Sequence, residues 1–211
     1  MFVDLRLDDL SIKRVQGQLP MSREFVLQAN AVTAASFGQK VPLLETFEHF
    51  GESNLGHFVF DGKNRLIGYT LNEIYAAQTS GGEIKVNYFS SAFVLREVRR
   101  KICLYKMLSS LRLDYTEQVV MVRTQNPLVI TYFTRICEMA RLELFTPDKR
   151  LPTDLDEIVF EKFRRHGLRH DGVYGRCLTG TPVEPKTDFT KRLFADLKPQ
   201  NGDAIVLIGK K

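Results

Sequence analysis

Between residues 83 and 140 the hydrophobic period alternates between that of a strand and that of a helix, and few architectures accommodate such a run. In EIKVNYFSSAFVL, residues 83–95, Ile84, Val86, Tyr88 and Val94 alternate with Lys85, Asn87 and Leu95, which predicts a strand. Ser90 and Ser91 interrupt it with small side chains, where a bulge or splay fits. Residues 99–113 then place Ile102, Tyr105, Leu108 and Leu111 on one helical face. EQVVMVRTQ, residues 117–125, reads as a short buried strand, and NPLVITYFTRICEMA, residues 126–140, as a helix with Asn126 placed to cap it and Pro127 in its first turn. A strand–helix–strand–helix sequence implies a parallel pair joined by a crossover, so the fold class is α/β of the mixed kind.

The flanking segments extend this core. Ser22 can cap a helix over residues 22–38 in which Phe25, Val26, Ala29, Val32, Ala35 and Ser36 follow helical spacing, and Gly38 ends it. A shorter helix covers residues 42–50. GHFVFD and RLIGYTLNEIYAA form two antiparallel strands around the turn Asp61-Gly62-Lys63-Asn64. Beyond residue 141, ELF reads as a strand, TDLDEIVFEKFRRHG as a helix capped by Thr153, TKRLFADL as part of a helix and DAIVLIGKK as a terminal strand. Pro and Gly punctuate residues 171–202, which predicts loops there. The expected organisation is a single domain over residues 1–211, with a core at 20–145 and a loop-rich extension at 146–211 completing the sheet.

Bulk properties narrow the function. Apolar residues at 44% and charged residues at 26% suit a globular protein, and the formal charge of +5 permits an anionic partner without naming one. Cys103, Cys137 and Cys177 form no CxxC pair, and His166 and His170 lack a third ligand type beside them, so no metal site is expected. His49 and His57 read as structural or exposed. No stretch approaches the ~20 apolar residues of a membrane helix and no signal-peptide core opens the chain, so the expected location is cytoplasmic. Nucleic acid is not favoured as a partner, because the sequence holds neither an aromatic RNA-binding pair nor zinc-finger spacing.

One local feature resists a bland reading. Arg99, Arg100 and Lys101 stand where the strand gives way to a helix. A helix start already carries partial positive charge and unsatisfied N–H groups, so clustered cations there are unfavourable unless an anion offsets them.

With VLREVRRKICLYKML at the first strand-to-helix junction and RTQNP opening the last helix, this order of elements resembles the GNAT superfamily of acyl-CoA N-acyltransferases over residues 20–145. The resemblance implies a central mixed sheet with a splayed parallel strand pair and helices on both faces. It also implies transfer of an acyl group from a coenzyme A thioester to an amine by direct attack, without a metal. The main chain of Phe93, Val94 and Leu95 then pairs with the pantetheine arm of acetyl-CoA or another acyl-CoA. The helix start from Arg99 through Arg100, Lys101, Ile102, Cys103, Leu104 and Tyr105 holds its phosphates, and Cys103 and Tyr105 lie near the thioester. Family members read Arg/Gln-x-x-Gly-x-Gly/Ala at this junction. Here Ile102 and Leu104 stand at the glycine positions, where glycine would let a phosphate approach the backbone.

Asn126 matches the family's asparagine at the start of the last helix. The tyrosine that protonates the leaving thiolate should come seven residues later, where this chain has Phe133, and Tyr132 is one position, about 100°, away. Tyr132 is therefore the candidate acid, and Glu83 and Glu73 are candidate general bases by family analogy. The basic rim also suits an acyl carrier protein as donor. The amine acceptor is open, and the segment 146–211 is available to cover the acceptor side or to form a homodimer contact. The missing glycines and displaced tyrosine support one alternative, a GNAT-like binding module without catalysis.

Overall fold

The computed structural model describes residues 10–95 and 119–211. The helix expected at 99–113, and with it Arg99, Arg100, Lys101, Ile102, Cys103, Leu104 and Tyr105, lies outside the described residues. The strands follow the order β1-β2-β3-β4-β5-β8-β6, with β7 pairing β8. They are β1 (Ser11–Gln16), β2 (Leu55–Phe60), β3 (Leu66–Thr79), β4 (Gly82–Val94), β5 (Val119–Thr124), β6 (Glu143–Phe145), β7 (Arg169–His170) and β8 (Ala204–Lys210). The sheet is mixed, and β4 and β5 run parallel. The described residues fall into two compact units, one of residues 10–74 and 89–95, the other of residues 75–88 and 119–211.

In the first unit, helices α1 (Arg23–Phe37) and α2 (Leu43–Glu52) precede the antiparallel ladder β1–β2–β3. Ser22 caps α1 by accepting a hydrogen bond from the Phe25 N–H, and Gly38 ends it in the left-handed conformation, φ 72°. Val26, Ala29, Val32 and Ser36 are buried as the spacing predicts, but Ala35 is exposed and Thr33 takes a buried place. A polar residue fits there because its hydroxyl bonds the Ala29 carbonyl and the Tyr69 hydroxyl. Phe50, Phe58 and Tyr69 form the aromatic centre of this core, with Phe25 and Phe93 meeting it edge-on. Each ring fully withdrawn from water contributes about 1.5–3 kcal/mol. Strand β1 was not expected. Its SIKRVQ sequence is largely exposed and, among the described residues, pairs with β2 alone at the sheet edge, so it carries little apolar signal.

In the second unit, β8 lies between β5 and β6, antiparallel to both. Helices α3 (Pro127–Ala140), α4 (Thr153–Phe163) and α5 (Asp188–Phe194) complete it. Leu155, Ile158 and Val159 of α4 are fully buried in a core with Ala77, Val86, Val119, Met121, Val206 and Ile208. Glu157 fixes α4 to the β3–β4 turn by accepting from the N–H and hydroxyl of Ser80 at 2.7 and 3.1 Å. Thr153 does not cap α4 as expected. It is the first helical residue, Pro152 occupies the cap, and no side chain bonds there. Gly209 shows why β8 must come so close to its neighbours: a Cβ at this position would meet Cys137 Sγ at 2.7 Å and Val120 Cγ2 at 2.9 Å.

Candidate functional site

Two places carry the chemistry that the sequence pointed to, one in each unit. In the first unit, the backbone at the end of β4 is already engaged. The Leu95 N–H donates to the Ile67 carbonyl at 3.0 Å, so this residue turns its N–H toward β3. Successive strand residues present their backbone groups to opposite sides, and Val94 faces away from β3. There the Ser36 hydroxyl donates to the Val94 carbonyl at 2.7 Å and accepts from its N–H at 3.1 Å. Phe93 is partly buried, its ring 5.0 Å from Phe37 and 5.4 Å from Tyr69. The strand edge expected to meet a pantetheine arm is thus held by a serine from α1, a residue whose helical spacing marked it only as core.

Glu73 also belongs to the first unit, on β3, partly buried. Next to it, Asn54 brackets Ile74 with two 2.8 Å hydrogen bonds, one to its N–H and one to its carbonyl. Glu83 belongs to the second unit, where it is exposed and accepts from Gln78 Nε2 at 3.1 Å across the β3–β4 turn.

In the second unit, the junction of β5 and α3 gathers several polar side chains. Asn126 Oδ1 accepts from the Leu128 N–H at 3.0 Å and caps α3, while the Asn126 N–H donates to Thr124 Oγ1 at 2.9 Å. Phe133 is buried and Tyr132, beside it on the same helix, is partly buried. The phenol of Tyr132 forms no hydrogen bond among the described residues. Gln125, which no sequence pattern singled out, is buried and binds three backbone groups of the long β7–β8 connection. Its amide donates to the carbonyls of Arg176 and Pro199 at 3.1 and 3.3 Å and accepts from the Leu178 N–H at 2.9 Å.

Arg123 was also missed, although its position is legible. Val119, Met121 and Arg123 share one side of β5, and the first two are fully buried. The guanidinium lies over the rings of Phe163 and Tyr174, 4.4 and 5.1 Å from their centroids, and the Tyr174 hydroxyl donates to the Arg123 carbonyl at 3.4 Å. His170, beside the same Phe163 ring, is pushed down to about 4, chiefly by burial and then by the charge of Arg123. His166 is separated from it in role: it is exposed and pairs with Asp156 at 2.7 Å. No group of three His, Cys, Asp or Glu side chains suited to a metal occurs among the described residues. No helix there is long and apolar enough to cross a membrane.

This strand order and its parallel β4–β5 pair define the class to which the fold belongs. The chain is similar to Naa50 of Arabidopsis thaliana, solved with the bisubstrate analogue CoA-Ac-MVNAL, at 10% identity and TM-score 0.52, covering 95% of this chain and 97% of that one. It is similar to the ribosomal-protein-S18-alanine N-acetyltransferase of Escherichia coli at 9% identity and TM-score 0.51, covering 94% and 92%. Of a conserved protein from Enterococcus faecalis V583 it spans less than a third, covering 58% of this chain and 31% of that one at 8% identity and TM-score 0.42. No family model matches the sequence, and no curated protein matches it. The fold is that of the GNAT N-acetyltransferases.

Proposed function

We propose that the chain is an acyltransferase that moves an acyl group, by default acetyl, from a coenzyme A thioester to an amine. The observation that carries this reading is the fold, shared over nearly the whole chain with N-acetyltransferases, one of them solved with a coenzyme A-linked peptide analogue. In the reaction the amine nitrogen attacks the thioester carbonyl, the C–S bond breaks, and the coenzyme A thiolate leaves. One proton departs from the amine to a base and one reaches the thiolate sulfur.

The main chain at Phe93, Val94 and Leu95 receives the pantetheine arm. For it to pair with Val94, the Ser36 hydroxyl must give way, a local exchange of one pair of hydrogen bonds for another. Arg99, Arg100 and Lys101, with the N–H groups from Ile102 to Tyr105, hold the phosphates, which would account for cations where the sequence predicts a helix start. Tyr132 supplies the proton to the thiolate, and Glu73 or Glu83 takes the proton from the amine. A coenzyme A donor suits a cytoplasmic location.

A second reading, a binding module without turnover, draws on the Ser36–Val94 closure of the strand edge. Calorimetric titration with acetyl-CoA, a long-chain acyl-CoA and free coenzyme A separates the two. The acyltransferase reading expects micromolar binding of at least one acyl-CoA. Replacing Arg99, Arg100 and Lys101 by alanine should weaken that binding on the order of tenfold at low salt and less at high salt. Absence of binding to all three compounds, with no thiol release across a panel of amines, would sink it.

A further inference from the structure

We propose that Arg123 binds a carboxylate of the acceptor, so that the amine accepted by this chain is one that also carries a carboxylate, an amino acid or an acidic peptide. The proposal rests on the acyltransferase reading above for the word acceptor, but the anion site itself stands on the geometry of the second unit.

Strand alternation calls for an apolar side chain at position 123, continuing Val119 and Met121 into the core between the sheet and α4. An arginine stands there instead. Its guanidinium faces aromatic rings, 4.4 Å from the Phe163 centroid and 5.1 Å from that of Tyr174, which strip water from it without neutralising it. No carboxylate pairs with it and no hydrogen bond leaves its side chain among the described residues, and its Nε is buried without a partner. An arginine used only for packing at such a place is ordinarily paired, because an uncompensated, partly buried cation is costly.

Among the described residues the carboxylate that acts on this neighbourhood is Asp171, and its pull on His170 is weaker than the push of Arg123 and Arg165. His170 Nδ1 is likewise buried without a hydrogen bond, and its Nε2 is 3.2 Å from the Gly167 carbonyl, so the ring is neutral with Nε2–H as donor. Burial and the adjacent Arg123 and Arg165 keep it so, against the weaker opposite pull of Asp171. The site is therefore net positive and flanked by flat rings, and a guanidinium so placed suits a planar oxyanion that accepts from it. It also lies three residues before Asn126, the cap of the helix to which the reaction's candidate acid Tyr132 belongs. Gln125 fixes the connection that carries Tyr174 to the same strand end.

The test uses the full chain and needs no donor and no turnover. The Arg123 Nε–H resonance, assigned by its disappearance in Arg123→Lys, is followed by 1H–15N NMR during titration with benzoate, L-glutamate and L-phenylalanine. Benzamide, phenylalaninamide and inorganic phosphate are titrated in parallel. The carboxylates should shift the resonance saturably and the two amides should not. In Arg123→Lys, binding of the same carboxylates, read by calorimetry, should weaken on the order of a hundredfold, with circular dichroism unchanged. Equal binding of amides and carboxylates, stronger binding of phosphate than of benzoate, unchanged affinity in Arg123→Lys, or no shift with any carboxylate would each overturn the assignment. If Arg123→Lys fails to fold, Arg123→Met, which keeps an apolar stem without the charge, takes its place in both the resonance assignment and the calorimetry. Failure of acyl-CoA to bind leaves this result standing and removes only the acyltransferase reading. Turnover of amines with and without a carboxylate at equal kcat/KM removes the acceptor assignment and leaves the acyltransferase reading intact.

Discussion

His170 couples the stability of the second unit to pH. Its ordinary value of 6.5 falls to about 4 in the folded chain, first because burial disfavours the imidazolium and then because Arg123 repels it. Well above pH 6.5 the ring is neutral whether folded or unfolded and contributes no pH dependence. Between about 6.5 and 4 the unfolded chain takes up a proton that the folded chain refuses, so stability falls as pH drops through this window, by up to about 3 kcal/mol in all. His170→Gln should abolish that part of the decline, and urea denaturation of both proteins at pH 7 and pH 4.5 measures it. Equal losses in the two proteins would mean that His170 is not the group responsible. The sequence offered His170 only as half of a weak pair with His166, since burial is not written in the residue itself. Arg123 was more open to detection: a charge at the inward position of a valine-rich strand breaks the alternation around it. Ser36 sat among core positions on its helix, and nothing local foretold that its hydroxyl would reach Val94.

At the scale of elements, the joint between β5 and α3 does more than start a helix. Gln125 spans from the strand end to Arg176, Leu178 and Pro199, so one side chain anchors both ends of a segment rich in Pro and Gly. Gln125→Ala removes three hydrogen bonds from a buried place and should cost about 1–3 kcal/mol in urea denaturation. It should also hasten proteolytic cleavage within residues 171–187 relative to the rest of the chain. Faster cleavage elsewhere but not there would show that the anchor is held by other contacts. Helices with a clear cap and stop were legible: Ser22 and Gly38 bound α1, and Asn126 and Pro127 open α3. The errors fell where the signal is local but ambiguous. Thr153 looks like a cap, yet the preceding Pro152 already has the extended backbone of one, which leaves Thr153 inside the helix. Strand β1 escaped because an edge strand can be mostly polar and still pair through its backbone.

For the whole molecule, the informative fact is where the last strand goes. AIVLI in β8 is apolar without alternation, the mark of a strand covered on both faces, and Ala204 through Ile208 are fully buried. A parallel β4–β5 pair followed from the crossover logic of the sequence, but insertion of β8 between β5 and β6 did not, because chain order says nothing about which earlier strands a returning one will separate. Ile208 shows what depends on that placement. It pairs across to Met121 on one side and to Phe145 on the other, within the core that holds Leu155 and Ile158. Ile208→Ala removes packing from two strand neighbours at once and should cost about 2–5 kcal/mol, a large share of the net stability of a domain of ordinary size. At this chain length that corresponds to a fall in Tm of roughly 4–20 °C. Ile12→Ala in the edge strand β1, where the side chain is only partly buried, removes the same atoms but should cost less than about 1.5 kcal/mol. Denaturation of the two variants in parallel compares a central strand with an edge strand at constant chemistry. Equal losses would contradict the central role of β8, since the substitution is the same and only the surroundings differ.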